Sequence, residues 1–155
     1  AYTDTREAID GLRLRPGDGN LGEWLEQALS EFQSLCPIRV EATTAPPELS
    51  LSAEVQAQLL RIVQEALSNI RKHSDATQAS LEWNADPDWL TLRIADNGRG
   101  FDAADVPPIS QHGLRIMRER AELIDAVFKI IRRSGAGTQV VIQLPVEEEI
   151  RLGRD

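Results

Sequence analysis

Apolar and polar positions alternate most clearly in Trp89-Leu90-Thr91-Leu92-Arg93-Ile94. Leu90, Leu92 and Ile94 share one parity, which predicts a strand with one face turned to a core. Asp96 has the same parity, so a carboxylate ends a row of core-facing side chains. An unpaired charge there is costly, and a bound ligand can supply the donor it needs. Gly98 and Gly100 follow at once; they let the backbone turn sharply and a ligand come close to it.

The rest of the chain falls into elements around this strand. Tyr2, Ala8, Ile9 and Leu12 have near-helical spacing and read as the end of a helix begun elsewhere. Residues 15–20 are a linker by composition. Asn20 is placed to cap a helix over 21–35, with Trp24, Leu25, Ala28, Leu29 and Phe32 on its apolar side. Pro37 stops it, and Ile38, Val40 and Ala42 alternate as a short strand. A loop with Pro46-Pro47 leads to Ser52, the expected cap of a long helix reaching about His73. Leu59, Val63, Ala66, Leu67 and Ile70 form its apolar stripe. Glu65, Asn69, Lys72 and His73 form a polar row roughly opposite the Val63, Leu67 and Ile70 side. Ala79, Leu81 and Trp83 alternate as a second strand, which Asp86-Pro87-Asp88 turns into the strand ending at Asp96.

Residues 101–112 show no periodicity and have the size of a mobile lid. Gly113 is expected to open a helix running from Leu114 to about Asp125, with Leu114, Met117, Ala121 and Ile124 apolar. A strand over 127–133, a turn and a last strand with Thr138, Val140, Ile142 and Leu144 inward complete the fold. The predicted order is helix, strand, helix, strand, strand, helix, strand, strand. That is an α+β chain, a two-layer α/β sandwich with a mixed, mostly antiparallel sheet and helices on one face. The expected division is 1–15 as the end of a helix and linker, 16–146 as one domain and 147–155 as a tail.

Composition narrows the function classes. The 155 residues fit one domain with a real core. Seventeen basic against twenty-five acidic residues give a formal net charge of −8. That disfavours nucleic acid or an anionic membrane surface as the main partner. A phosphate ligand must then be held by local features. Cys36 is the single cysteine and reads as a small core residue, with no internal disulfide available. No apolar run is long enough to span a bilayer, and no signal peptide opens the sequence. Ala1-Tyr2-Thr3-Asp4 reads as mid-protein sequence, which suggests a piece of a longer chain.

Three blocks then stand in a telling order. Glu65-Ala66-Leu67-Ser68-Asn69-Ile70-Arg71-Lys72-His73-Ser74 resembles the N box of histidine kinases. Asp96-Asn97-Gly98-Arg99-Gly100-Phe101 resembles their G1 box. His112-Gly113-Leu114, running into Met117-Arg118-Glu119-Arg120-Ala121, resembles a shortened G2 region, and Gly137-Thr138 resembles the closing Gly-Thr of the family. Over about residues 50 to 145 the chain is similar to the Bergerat-fold ATPases, a group shared by gyrase, a heat-shock chaperone, histidine kinases and the MutL mismatch-repair proteins. Within it, Lys72-His73-Ser74 and the Met117–Ala121 stretch are similar to the nitrate/nitrite-sensor and DesK-like subfamily. Residues 1–13 resemble the end of that subfamily's dimerisation helix.

The resemblance implies ATP and Mg²⁺ as cofactors. Mg²⁺ wants oxygen ligands and keeps several waters, and the Asn69 amide oxygen suits it. Glu65, one helical turn earlier, suits either a metal-bound water or the proton of the attacking group. Lys72 reaches phosphate as a point charge. His73 either bonds phosphate or packs beside the loop. Asp96 accepts from the adenine exocyclic amine, and Thr138 helps fix the adenine side. Gly98, Gly100 and Gly113 allow close backbone approach, with amides of a helix starting at Gly113 facing phosphate. Phe101, His112 and Leu114 are carried over as ATP-binding from their places in the blocks.

The implied function is the catalytic domain of a two-component sensor histidine kinase. It donates the γ-phosphoryl group to a histidine on the parent's dimerisation domain, for relay to a response regulator of the LuxR-tailed type. The domain is expected to be cytoplasmic, without direct membrane contact, in a parent that is either soluble or membrane-anchored. Two departures matter. Asp125-Ala126 stands where the family usually has Gly-Gly, and His73 and His112 are the chain's two histidines, both within nucleotide-binding blocks. Competing readings are an anti-sigma-type serine kinase and a non-catalytic nucleotide-sensing module of the same fold.

Overall fold

A computed structural model describes residues 20–43, 51–99, 108–133 and 136–146. The expected helix over 1–13, the linker before Asn20 and the tail after Val146 lie outside the described residues, as do Gly100 and Phe101. The elements are α1 (Leu21–Leu35), β1 (Arg39–Ala42), α2 (Ala53–His73), β2 (Gln78–Ala85), β3 (Trp89–Asp96), α3 (Pro108–Leu123), β4 (Val127–Arg133) and β5 (Gly137–Pro145). Their order is the one the periodicities predict.

Both long helices start where a side chain can meet an orphan amide. Asn20 Oδ1 accepts from Glu23 N–H at 3.0 Å, and Ser52 Oγ accepts from Val55 N–H at 3.2 Å. Such caps are worth roughly 1 kcal/mol each. At its other end α2 carries Arg71, Lys72 and His73 in the last turn, a charge placement that suits the negative end of a helix.

The five strands form one sheet in the order β1-β2-β3-β5-β4. β1 and β2 are parallel, with α2 as their crossover; every other pair is antiparallel. Helix α1 packs on β1, α2 on β3 and α3 on β4, while α2 also contacts both other helices. The helices therefore form one layer over one sheet face. Leu81, Leu90, Leu92, Ile94 and Ile142 fill the seam at 1% exposure each, under Leu59, Ile62 and Val63 of α2 at 0%. Because sheet side chains alternate faces, this inward row is what aims the last residue of β3 into the interlayer space.

The structure corrects one boundary. Helix α3 begins at Pro108, not at Gly113, so it absorbs five residues of the expected 101–112 lid. Residues 101–107 lie outside the described residues. Proline fits a first helical turn, where its missing N–H has no partner to lose. Gly113 therefore lies inside α3, and the free amides of a helix start belong to the turn at Pro108 rather than to Gly113. The glycine has a packing reason instead: a Cβ on it would run into Glu65 Oε1 of α2.

The turn after α3 explains how Asp125-Ala126 serves in place of two glycines. Ala126 N–H donates to Ala121 O at 2.9 Å, and Asp125 takes the left-handed conformation at φ 56°. An aspartate tolerates that region better than most side chains.

Candidate nucleotide-binding site

Asp96 sits at the end of β3, half-buried. Two backbone amides hold it. Gly98 N–H donates to Asp96 Oδ1 at 2.8 Å, and Thr138 N–H donates to the carboxylate from the start of β5. Burial pushes the carboxyl above its ordinary 3.8, and these two bonds pull back against that without cancelling it. An acid so placed gains from any further donor that enters from the open side.

The turn after Asp96 is tied to the end of α2. Asn97 Oδ1 accepts from Thr77 N–H and Gln78 N–H, both at 2.9 Å, and Arg99 N–H donates to Ser74 O at 3.0 Å. Gly98 lies against that same Ser74 carbonyl, so a side chain there would collide with backbone. Ser74 is itself buried, its hydroxyl donating to Ile70 O at 2.7 Å and accepting from Ala76 N–H at 3.1 Å. Gly137 has φ 92° and brings β5 so close that a Cβ would meet the Asp96 carbonyl. The carboxylate is thus fixed from both sides by backbone.

In front of it opens a cleft of about 520 Å³, part of it open to solvent. Its α2 wall presents Ala66, Asn69, Ile70 and His73; α3 adds Leu114. The floor is the inward face of the sheet: Ile94 and Asp96 of β3, Val140 and Thr138 of β5, Ile130 and Arg132 of β4. It is a mainly apolar slot with a few polar groups among its lining, the usual character of a small-molecule site.

Glu65 stands one turn before Asn69 on α2. Glu65 Oε1 and both atoms of the Asn69 amide lie within 3.4 Å of the point a Gly113 side chain would occupy. The carboxylate and the amide therefore converge beside α3. Among the described residues no cluster of three His, Cys, Asp or Glu could hold a metal by itself. A hard cation here would take Asn69 oxygen, with phosphate and water completing its shell, which fits the habits of Mg²⁺.

Asn69, His73, Asp96, Leu114 and Thr138 share the cleft. Glu65, Gly98 and Gly113 border it as described. Lys72 and His112 are exposed and do not line it; His112 Nδ1 accepts from the Arg115 guanidinium at 3.2 Å. Two polar lining residues, Ser74 and Arg132, were not among the sequence candidates. The buried Ser74 joins α2 to the turn after β3. Arg132 shares its parity with Phe128 and Ile130, so the alternation used for Asp96 would have placed it inward as well.

Residues 54–148 match the family model described as Histidine kinase-, DNA gyrase B-, and HSP90-like ATPase. Sensor protein VraS of Staphylococcus saprophyticus subsp. saprophyticus is 36% identical over 141 residues, 89% of this chain and 40% of that protein. Sensor histidine kinase LiaS of Bacillus subtilis (strain 168) is 38% identical over 142 residues, 89% of this chain and 38% of that protein. The chain thus spans about two fifths of the length of these curated relatives. Among solved structures, the blue-light activated histidine kinase of Erythrobacter litoralis EL346 aligns with a TM-score of 0.65 at 25% identity, over 81% of this chain and 42% of that one. The ATP binding domain of PrrB from Mycobacterium tuberculosis aligns with a TM-score of 0.67 at 21% identity, over 84% and 96%, a likeness of fold alone. With a fitting cleft, a shared architecture and a family match over most of its length, the chain belongs to the histidine kinase-, DNA gyrase B- and HSP90-like ATPases.

Proposed function

We propose that this chain is the ATP-binding catalytic domain of a sensor histidine kinase of the nitrate/nitrite-sensor and DesK-like type. It serves a parent whose dimerisation domain carries the phosphoacceptor histidine, and the phosphoryl group passes on to a response regulator of the LuxR-tailed type. The observation that carries the reading is Asp96: an inward carboxylate, clamped by two backbone amides in an apolar slot that Asn69 also lines, with Glu65 one helical turn before Asn69. The name of the Bacillus subtilis relative, a sensor histidine kinase, favours a kinase acting on histidine over the serine-kinase alternative.

Each residue then has a role. Asp96 accepts a hydrogen bond from the exocyclic amine of adenine, and Ile94, Ile130, Leu114 and Val140 enclose the base. Thr138 steadies the base edge. Gly98, Gly100 and Gly113 are assigned close backbone approach to the nucleotide, Lys72 reaches phosphate as a point charge, and Phe101 and His112 are assigned to ATP binding from their places in the sequence blocks. Asn69 supplies the protein's oxygen to Mg²⁺, which when bound spreads the charge of the phosphates. Glu65 takes the proton that the acceptor imidazole loses as its nitrogen bonds to the γ-phosphorus and the bond to ADP breaks. Phosphoryl transfer asks mainly for positioning and charge stabilisation, to which Asn69 would contribute by holding the ion and Glu65 by accepting the proton. His73 packs at the cleft wall. The acceptor histidine belongs to another part of the parent, cytoplasmic like this domain, whether or not that parent is anchored in a membrane.

The test is transfer of radiolabelled phosphate from ATP, in trans, to a separately expressed dimerisation domain. Binding of a fluorescent nucleotide is followed alongside. Glu65→Gln should bind nearly as the parent and transfer about 10²–10⁴-fold more slowly. Asn69→Ala should weaken the Mg²⁺ dependence of binding and abolish transfer. Parental transfer rates in Glu65→Gln would refute its catalytic role. Nucleotide binding with no transfer to any cognate helix would favour the non-catalytic sensing module.

A further inference from the structure

Arg132 is the charged cleft residue given no duty in the reading above, yet its placement is specific. It stands near the end of β4 on the inward parity, half-buried, and lines the same cleft as Asp96. In the β4–β5 register Arg132 faces Thr138. One step on in the β3–β5 register, Thr138 lies beside Asp96 and donates its N–H to the carboxylate. An acid, a hydroxyl and a guanidinium thus form one cross-strand row on the cleft floor. Acid and guanidinium are set two strand spacings apart, roughly 10 Å between their backbones.

Opposite charges in one cleft usually pair; these two do not. No hydrogen bond or ion pair engages the Arg132 side chain among the described residues, whereas two amides hold Asp96. A guanidinium carries five donors and no acceptor, so it is satisfied only by a ligand with acceptors or by water. Asp96 requires a donor. The row therefore presents an acceptor and a donor to the same edge of a flat ligand. Adenine has the matching pattern: an exocyclic amine that donates, flanked by ring nitrogens that accept.

We propose that Arg132 is a specificity-determining residue that donates a hydrogen bond to a ring nitrogen flanking the exocyclic amine of the bound purine. The inference rests on the nucleotide reading of the cleft and adds to it a direct second contact to the base. Arg132 selects for a base that offers donor and acceptor side by side, and it does so from the sheet, independently of the phosphates.

The test is calorimetry on the whole chain with ADP, 1-deaza-ADP and 7-deaza-ADP, for the parental protein and for Arg132→Met, which keeps an apolar stem of similar length. Each analogue removes one of the two flanking acceptors, so the pair identifies which nitrogen is read. The parental protein should bind one analogue at least about tenfold more weakly than ADP, the size expected for a hydrogen bond to a charged group. Arg132→Met should lose a similar factor on ADP and no longer distinguish ADP from that analogue. Equal parental binding of all three nucleotides overturns the proposal, as does a Met variant that keeps parental ADP affinity or parental discrimination. Should Arg132→Met fail to fold, Arg132→Leu, which also lacks a donor, takes its place under the same criteria, and the parental analogue series still decides. A parental chain that binds no ADP removes the nucleotide reading together with this one; the Arg132 outcomes remove this one alone.

Discussion

Replacing Asp96 by asparagine tests the centre of the site in two opposite-signed ways. The carboxyl is raised above 3.8 by burial, against the pull of the Gly98 and Thr138 amides. Its folded-state value is thus higher than its unfolded one, so this group favours the folded chain at low pH. That contribution is fully present below the unfolded value and is lost as pH rises through the folded one. On the proposed reading of Asp96, nucleotide binding runs the other way. The adenine amine needs the ionised acceptor, so this term of affinity is full at neutral pH and falls about tenfold per unit once pH drops below the folded value. The asparagine variant has no such titration. Its amide oxygen can still accept from Gly98 N–H, but it meets the adenine amine as a neutral acceptor. A hydrogen bond to a charged group is worth about 1.5–3 kcal/mol, so ADP affinity at neutral pH should fall roughly 10- to 150-fold. The assay is calorimetric ADP binding from neutral pH downward, for parent and Asp96→Asn, with urea unfolding of both at each pH. Taking the difference between the two proteins cancels the protonation of the phosphates and of the other acids. The affinity gap should close on acidification, and the ligand-free variant should be at least as stable as the parent at neutral pH. A pH-independent gap, or a variant markedly less stable than the parent at neutral pH, would refute the reasoning.

Three other perturbations follow from the packing. Gly113→Ala should destabilise the chain even though alanine favours an exposed helix by about 1 kcal/mol over glycine, because its methyl displaces Glu65; a more stable variant in urea unfolding would contradict this. Asp125→Gly should stabilise by about 0.5–1 kcal/mol, since glycine adopts φ 56° without penalty, which raises Tm by roughly 1–4 °C. Gly98→Ala should weaken ADP binding and lower Tm together, because its methyl meets the Ser74 carbonyl; unchanged values of both would mean that the turn yields freely.

The legible parts of this fold are those where one period governs. Alternation sets Leu90, Leu92 and Ile94 inward and carries Asp96 with them, and the caps at Asn20 and Ser52 are chemical signals that the helices use. The start of α3 is hidden for a physical reason. A glycine inside a helix costs stability, and a Pro-Pro pair resembles a loop, so Pro108 to His112 give no helical signal. What Gly113 gains is contact with a helix far earlier in the sequence, and no local pattern records that. Ser74 reads as a turn residue and is one, but its burial depends on the turn after β3 closing over it. Arg132 is the instructive omission. Its parity is as readable as that of Asp96, but a charged residue in an alternating strand invites assignment to the solvent side.

The electrostatics divide the cleft in two. A chain of net charge −8 does not attract a polyanion by its overall field. The permanently charged cation among the cleft's described lining is Arg132, and it stands in the cross-strand row with Thr138 and Asp96. At the other end Glu65 adds a negative charge and Asn69 none. Arg71 and Lys72 lie exposed on the last turn of α2, where they first offset the negative helix end. On the proposed reading, recognition therefore resides at the base end, which backbone amides and strand register make rigid. On the same reading, Asn69 at the phosphate end would share with a divalent ion the task of offsetting the charge of the phosphates. That arrangement lets a domain hold ADP and ATP through the same base contacts. The γ-phosphoryl group is then left to the groups that act on it.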